Sequence, residues 1–200
     1  MKKWLGLIGL IVFCITAAMI SIGNWQGTHL TLSQHVALGQ TTITLFAIFG
    51  GIGALLIAYN LILFLPARWS FGVAYKILAT LISVCLIGIC IFPHTEGLSV
   101  VIHFACSWIM LVAIIPFVLI IGTKIWQNVD SLMRSLVVVF LATCLISILS
   151  IVLYYFIPTT GDFVFIIEGV LLLPFLCLLV YLTVYDKENR IKNATTNEVD

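Results

Sequence analysis

Charge is what this sequence has least of. Only 8% of its 200 residues are Asp, Glu, Lys or Arg, whereas soluble domains carry about 25%. With 62% hydrophobic residues and a mean hydropathy of +1.25, such a chain is excluded from the ordinary water-soluble class. It has no basic patch with interleaved aromatics, which argues against a nucleic-acid partner. It also has no CxxC pair. Its six cysteines (Cys14, Cys85, Cys90, Cys106, Cys144 and Cys177) all fall within apolar runs. A disulfide framework would place them in aqueous loops, so they read as small packing residues and imply no redox compartment. Nothing in the sequence calls for a cofactor.

What the chain does have is a series of apolar runs about 20 residues long, the length that spans a hydrocarbon core roughly 30 Å thick. They predict an all-α, polytopic membrane protein, a six-transmembrane-helix bundle, with spans near 4–22, 42–65, 73–92, 100–121, 136–156 and 163–185. The first run is too long for a cleavable signal, whose apolar core is about 7–15 residues. Pro66, Pro93 and Pro158 mark span ends, because proline lacks an N–H and restricts the residue before it. Residues 1–185 then form one membrane domain. The polar stretch 186–200 cannot bury enough apolar area to fold alone and is expected to be a disordered tail.

Orientation is read from the Lys and Arg residues, which favour the cytoplasmic side of short loops. All nine fall on one side of the six predicted spans: Lys2, Lys3, Arg68, Lys76, Lys124, Arg134, Lys187, Arg190 and Lys192. Both termini are therefore expected in the cytoplasm, where the sequon Asn193-Ala194-Thr195 would not be glycosylated. Short loops and a minimal tail point to a plasma membrane of the prokaryotic inner-membrane kind. The opposite loops, 23–41, 94–99 and 158–162, lack Lys and Arg and hold His29, His35, His94, Glu96 and Asp162. Trp4, Trp25, Trp69 and Trp126 lie near predicted boundaries, where indole rings favour the headgroup region. Trp108 lies deeper and reads as a packing residue.

Glu168 stands out, because an ionisable group in a span is costly and marks a functional site by default. His103, about one turn below the same face, is its expected partner, whether as a clasp between helices or in chemistry. His103 and Ser107 share a helical face, and His94, Glu96 and Asp162 lie close by in the predicted topology. These are zinc-type ligands, but no HExxH or HxxxH pair organises them, and no metal is assigned. Same-face spacing of His103 and Ser107 is not a catalytic triad either. In the first outer loop, Ser33 and His35 could contact a headgroup or substrate, since loops of this length are often functional. Gly50, Ala54 and Ala58 form a small-residue stripe suited to close helix packing. Its first use would be internal, with a homodimer or a membrane protein partner as the sharper alternative.

The order of three features resembles a family of small membrane proteins catalogued as domain of unknown function 998, and more distantly the Frag1/DRAM/Sfk1 group. They are Thr31-Leu32-Ser33-Gln34-His35, then Gly88-Ile89-Cys90-Ile91-Phe92-Pro93, then Ile102-His103 with Ala105 and Ser107. The chain departs from that family after Phe92-Pro93, where many members carry an Asp and this one has His94-Thr95-Glu96. The resemblance implies six spans and pairs Phe92-Pro93 with His103, but it implies no activity. The function expected first is a lipid-binding or accessory membrane protein with an outer-leaflet polar cluster. The alternative is a small intramembrane enzyme or transporter using His103 and Glu168 in proton or metal chemistry.

Overall fold

In a bilayer every backbone N–H and C=O must find a partner within the chain, so apolar runs of this length become helices. The computed structural model describes residues 2–23, 32–128, ten positions between 134 and 149, and 178–183. All regular structure among them is helical. We label the elements α1 (Lys2–Gly23), α2 (Leu32–Ala37), α3 (Gln40–Trp69), α4 (Val73–Ile91) and α5 (Leu98–Asn128). Among the described residues, four stretches are long and apolar enough to cross a membrane: Trp4–Gly23, Gln40–Trp69, Val73–Ile91 and Leu98–Lys124. Residues 178–183 are helical too and pack into the same core through Leu178, Leu179 and Leu182.

Lipid chains are as apolar as leucine, so helices in a membrane associate through close packing more than through exclusion of water. Here the close approach is between α1 and α3. A Cβ on Gly9 would lie 2.5 Å from the Leu56 Cβ and 2.8 Å from the Gly53 carbonyl oxygen. A Cβ on Gly53 would lie 2.9 Å from the Phe13 Cβ, and one on Gly6 would fall inside the Asn60 side chain. The pairs Gly6–Asn60 and Gly9–Leu56 set α1 antiparallel to α3. Likewise Gly88 against Cys106, and Tyr75 against Phe117 at 5.0 Å between ring centres, set α4 antiparallel to α5.

The helix α3 is the most enclosed: half of its most apolar stretch is buried, against 33% in both α4 and α5. The stripe Gly50, Ala54 and Ala58 lies buried within the chain, Ala54 with no exposed surface, so it serves internal packing. Large apolar side chains such as Met19, Ile22, Leu55, Val84 and Val112 are exposed along the helices, as expected of a surface whose solvent is lipid.

Several boundaries differ from the sequence expectation. The second span does not stop at Pro66; α3 continues to Trp69 and ends at Ser70 in the left-handed region, φ 52°. Two π-helical segments, Phe46–Gly50 and Asn60–Phe64, interrupt its α-helical course. The second ends at Phe64, two residues before Pro66, and its wider turn relieves the clash between a proline ring and the preceding turn. The fourth span is also longer than expected, since α5 runs through Pro116 and on to Asn128. Trp69 is buried and donates its indole N–H to the Leu182 carbonyl at 3.1 Å. Trp108 is the reverse, 40% exposed where a packing residue was expected. Most of the expected fifth and sixth spans lies outside the described residues.

Candidate functional site

The turn between α4 and α5 holds the part of the polar cluster that the described residues bring together. The helix α4 ends because Pro93 cannot continue it, and Phe92 takes φ −106°, ψ 88°. The last carbonyls of a helix need outside donors. Two residues of α5 donate to carbonyls at and just beyond that end: His103 from Nδ1 to the Phe92 carbonyl at 2.8 Å, and Ser99 from Oγ to the Pro93 carbonyl at 2.8 Å. The Thr95 N–H also donates to the Pro93 carbonyl at 2.8 Å. Gly97 completes the reversal at φ 62°, where a side chain would be strained.

This capping fixes a histidine pair. His103 is 4% exposed, and its ring meets that of His94 edge to face, 5.8 Å between centres. His94 also packs edge-on against Phe104, at 4.9 Å. The Nδ1 proton of His103 is thus committed to the backbone, which fixes the tautomer of the neutral ring and leaves Nε2 as its acceptor. Below the pair, α4 and α5 come into close contact at Gly88, where a Cβ would lie 2.7 Å from the Cys106 sulfur.

Of the predicted site residues, His94 and His103 are therefore brought together. Glu96 is exposed in the turn, and Ser107 is half-buried one turn further along α5. The hydrogen bond that orients His103 goes to Phe92 and not to Ser107. Among the described residues no group of three His, Cys, Asp or Glu side chains is placed to hold a metal ion. Asp162 and Glu168 lie outside the described residues. Ser33 falls in α2. His35, expected in a solvent-facing loop, is instead fully buried in α2, beside the equally enclosed Val36. The reason is that α2 folds back onto α1 and brings this face of the loop into the core.

A second polar feature was not anticipated. Asn60, 3% exposed, donates from Nδ2 to the Thr183 hydroxyl at 3.3 Å, and Thr183 donates to the Leu179 carbonyl at 2.7 Å. This ties α3 to the helix of residues 178–183. A cavity of about 10 Å³ lies beside it, lined by Gly6, Leu10, Ile57, Asn60, Leu179 and Thr183, with room for one water molecule at most. It is too small for a ligand, so the pair acts as an interhelical clasp of the kind polar side chains make in membranes. The signal for it was a lone Asn in an apolar span. No protein-family model, curated protein or solved structure matches the chain.

Proposed function

We propose that the chain is a multi-pass protein of the plasma membrane, of the prokaryotic inner-membrane kind, with six spans and both termini in the cytoplasm. We further propose that it works as a lipid-binding or accessory membrane protein, using the polar cluster at its outer end. Four described apolar stretches, helical residues between 134 and 149, and the helix at 178–183 support the six-span count. The placement of every Lys and Arg on one side of that count supports the orientation.

The observation that carries the functional reading is the convergence of His94 and His103 at the α4–α5 turn. Two imidazoles, one anchored to the backbone, present nitrogen donors and acceptors at the level where headgroups lie. Phe104 against His94, and the turn carbonyls bonded by Ser99 and His103, set apolar and polar surface side by side, which suits recognition of a polar group beside apolar chain. The same outer turn carries no Lys or Arg, so the headgroup would be recognised by hydrogen bonds more than by charge.

The test is lipid retention. Purified protein should keep bound lipid through detergent exchange, detectable by mass spectrometry of the intact complex, and His94→Ala should release it while leaving the protein folded. An unchanged lipid complement in His94→Ala and His103→Ala would remove this reading. Turnover of an added lipid substrate that depends on His103 and Glu168 would favour the intramembrane enzyme instead.

A further inference from the structure

The described cations gather at the end of the bundle opposite the histidine pair. The antiparallel registers place the start of α1, with Lys2 and Lys3, at the same end as Arg68 on α3. The short turn after Trp69 brings Lys76 of α4 there too, and the pairing of Tyr75 with Phe117 directs the last turns of α5, with Lys124, to that end. Arg68, Lys76 and Arg134 are exposed. The Arg134 guanidinium lies 5.4 Å from the centre of the Trp126 ring, and that of Arg68 lies 6.0 Å from the Phe64 ring. The acidic side chain among the described residues, Glu96, is at the other end.

These cations are bordered by exposed hydrocarbon. Val73 and Ile77, on either side of Lys76 in α4, are 72% and 62% exposed, and Leu63, one turn before Arg68, is 59% exposed. The Arg134 guanidinium, lying over the Trp126 ring, is held at a fixed depth while the edge of its plane keeps N–H donors for phosphate. Water-soluble anions offer nothing to the apolar border. An anionic phospholipid offers both a phosphate for the cations and a chain for the border.

We propose that this end of the bundle is a binding surface for anionic phospholipid, with phosphates held by Lys76 and Arg134 and chains lying on Leu63, Val73 and Ile77. It is a different site from the histidine pair and does not depend on the reading given to that pair.

The experiment compares phosphatidylglycerol with phosphatidylcholine of the same chain length, each added to purified full-length protein in neutral detergent. Lipid bound is counted by mass spectrometry of the intact complex over a salt series. The parent should retain phosphatidylglycerol preferentially, and the preference should fall as salt rises, because exposed charges are screened. Lys76→Gln and Arg134→Gln should each weaken retention about fivefold, the equivalent of about 1 kcal/mol for one basic residue near an anionic surface. This site is read from the salt-dependent preference between the two lipids, and the histidine pair from lipid that is held by hydrogen bonds and stays bound as salt rises, so failure of one is distinguishable from failure of the other. Equal retention of the two lipids by the parent would overturn the proposal. So would a salt-independent preference, a preference intact in the double Lys76→Gln, Arg134→Gln variant, or complete displacement of the lipid by an equal concentration of inorganic phosphate.

Discussion

His103 shows what a sequence can and cannot say about one residue. A histidine one turn into an apolar span is visible at once as a polar group that needs a partner. Its partner in the structure is a backbone carbonyl, that of Phe92, and every residue type carries a carbonyl. The residues alone therefore directed attention to the side chains Ser107 and Glu168, and only the family resemblance set Phe92-Pro93 beside His103. Asn60 is the converse: a single amide in an apolar run was legible as polar, but Thr183 lies 123 residues away and no local pattern links them. The capping bond gives a graded expectation. His103→Ala strands the Phe92 carbonyl and should cost about 1–3 kcal/mol, the penalty for an unsatisfied polar group. His103→Asn places an amide N–H where Nδ1 was and should recover much of that loss. Thermal midpoints in detergent decide it; equal destabilisation by both substitutions would mean that the hydrogen bond is not what holds the turn.

At the scale of elements, the positions of the apolar runs were readable and their ends were less so. The expected third span agrees with α4 to within a residue, because Gly72 and Pro93 bracket it and both act locally. Pro66 misled for a physical reason, since its usual effect on a helix is absorbed by the π-turn Asn60–Phe64. The α5 boundary was missed because Thr123, Lys124 and Trp126 are compatible with either a helix or a loop at the membrane surface. The choice of small-residue stripe was also incomplete. Gly50, Ala54 and Ala58 are buried as internal packing suggests, yet the close backbone approach is Gly9 against Gly53, which only the register of α1 on α3 reveals. Gly9→Ala should therefore destabilise by about 1–3 kcal/mol through overpacking. Gly51→Ala, whose Cβ would meet nothing within 4 Å, should be neutral or gain up to about 1 kcal/mol from helix propensity. Denaturation of both variants in the same detergent checks the contrast, and similar losses in the two would show that glycine itself, not the α1–α3 contact, matters there.

For the whole molecule, the strongest asymmetry is electrostatic, and it makes orientation testable. The described helices place the basic residues of α3, α4 and α5 at one end and the histidine pair with Glu96 at the other. Lys and Arg are retained on the cytoplasmic side because translocating them across the bilayer is costly. If the six-span count holds, residues 28 and 160 face outward, and residues 128 and 197 face the cytoplasm. Single cysteines introduced as Thr28→Cys, Thr160→Cys, Asn128→Cys and Asn197→Cys should then divide two and two when intact cells are treated with a membrane-impermeant maleimide. The native thiols lie in apolar runs, where a charged reagent does not reach, so each variant reports its own position. Opening the cells should make the two protected positions reactive, which guards against mistaking a buried cysteine for a cytoplasmic one. Labelling of Asn197→Cys from outside would reverse the orientation if Thr28→Cys were protected. It would reduce the count to an odd number of spans if Asn128→Cys stayed protected, so the four positions test count and orientation separately.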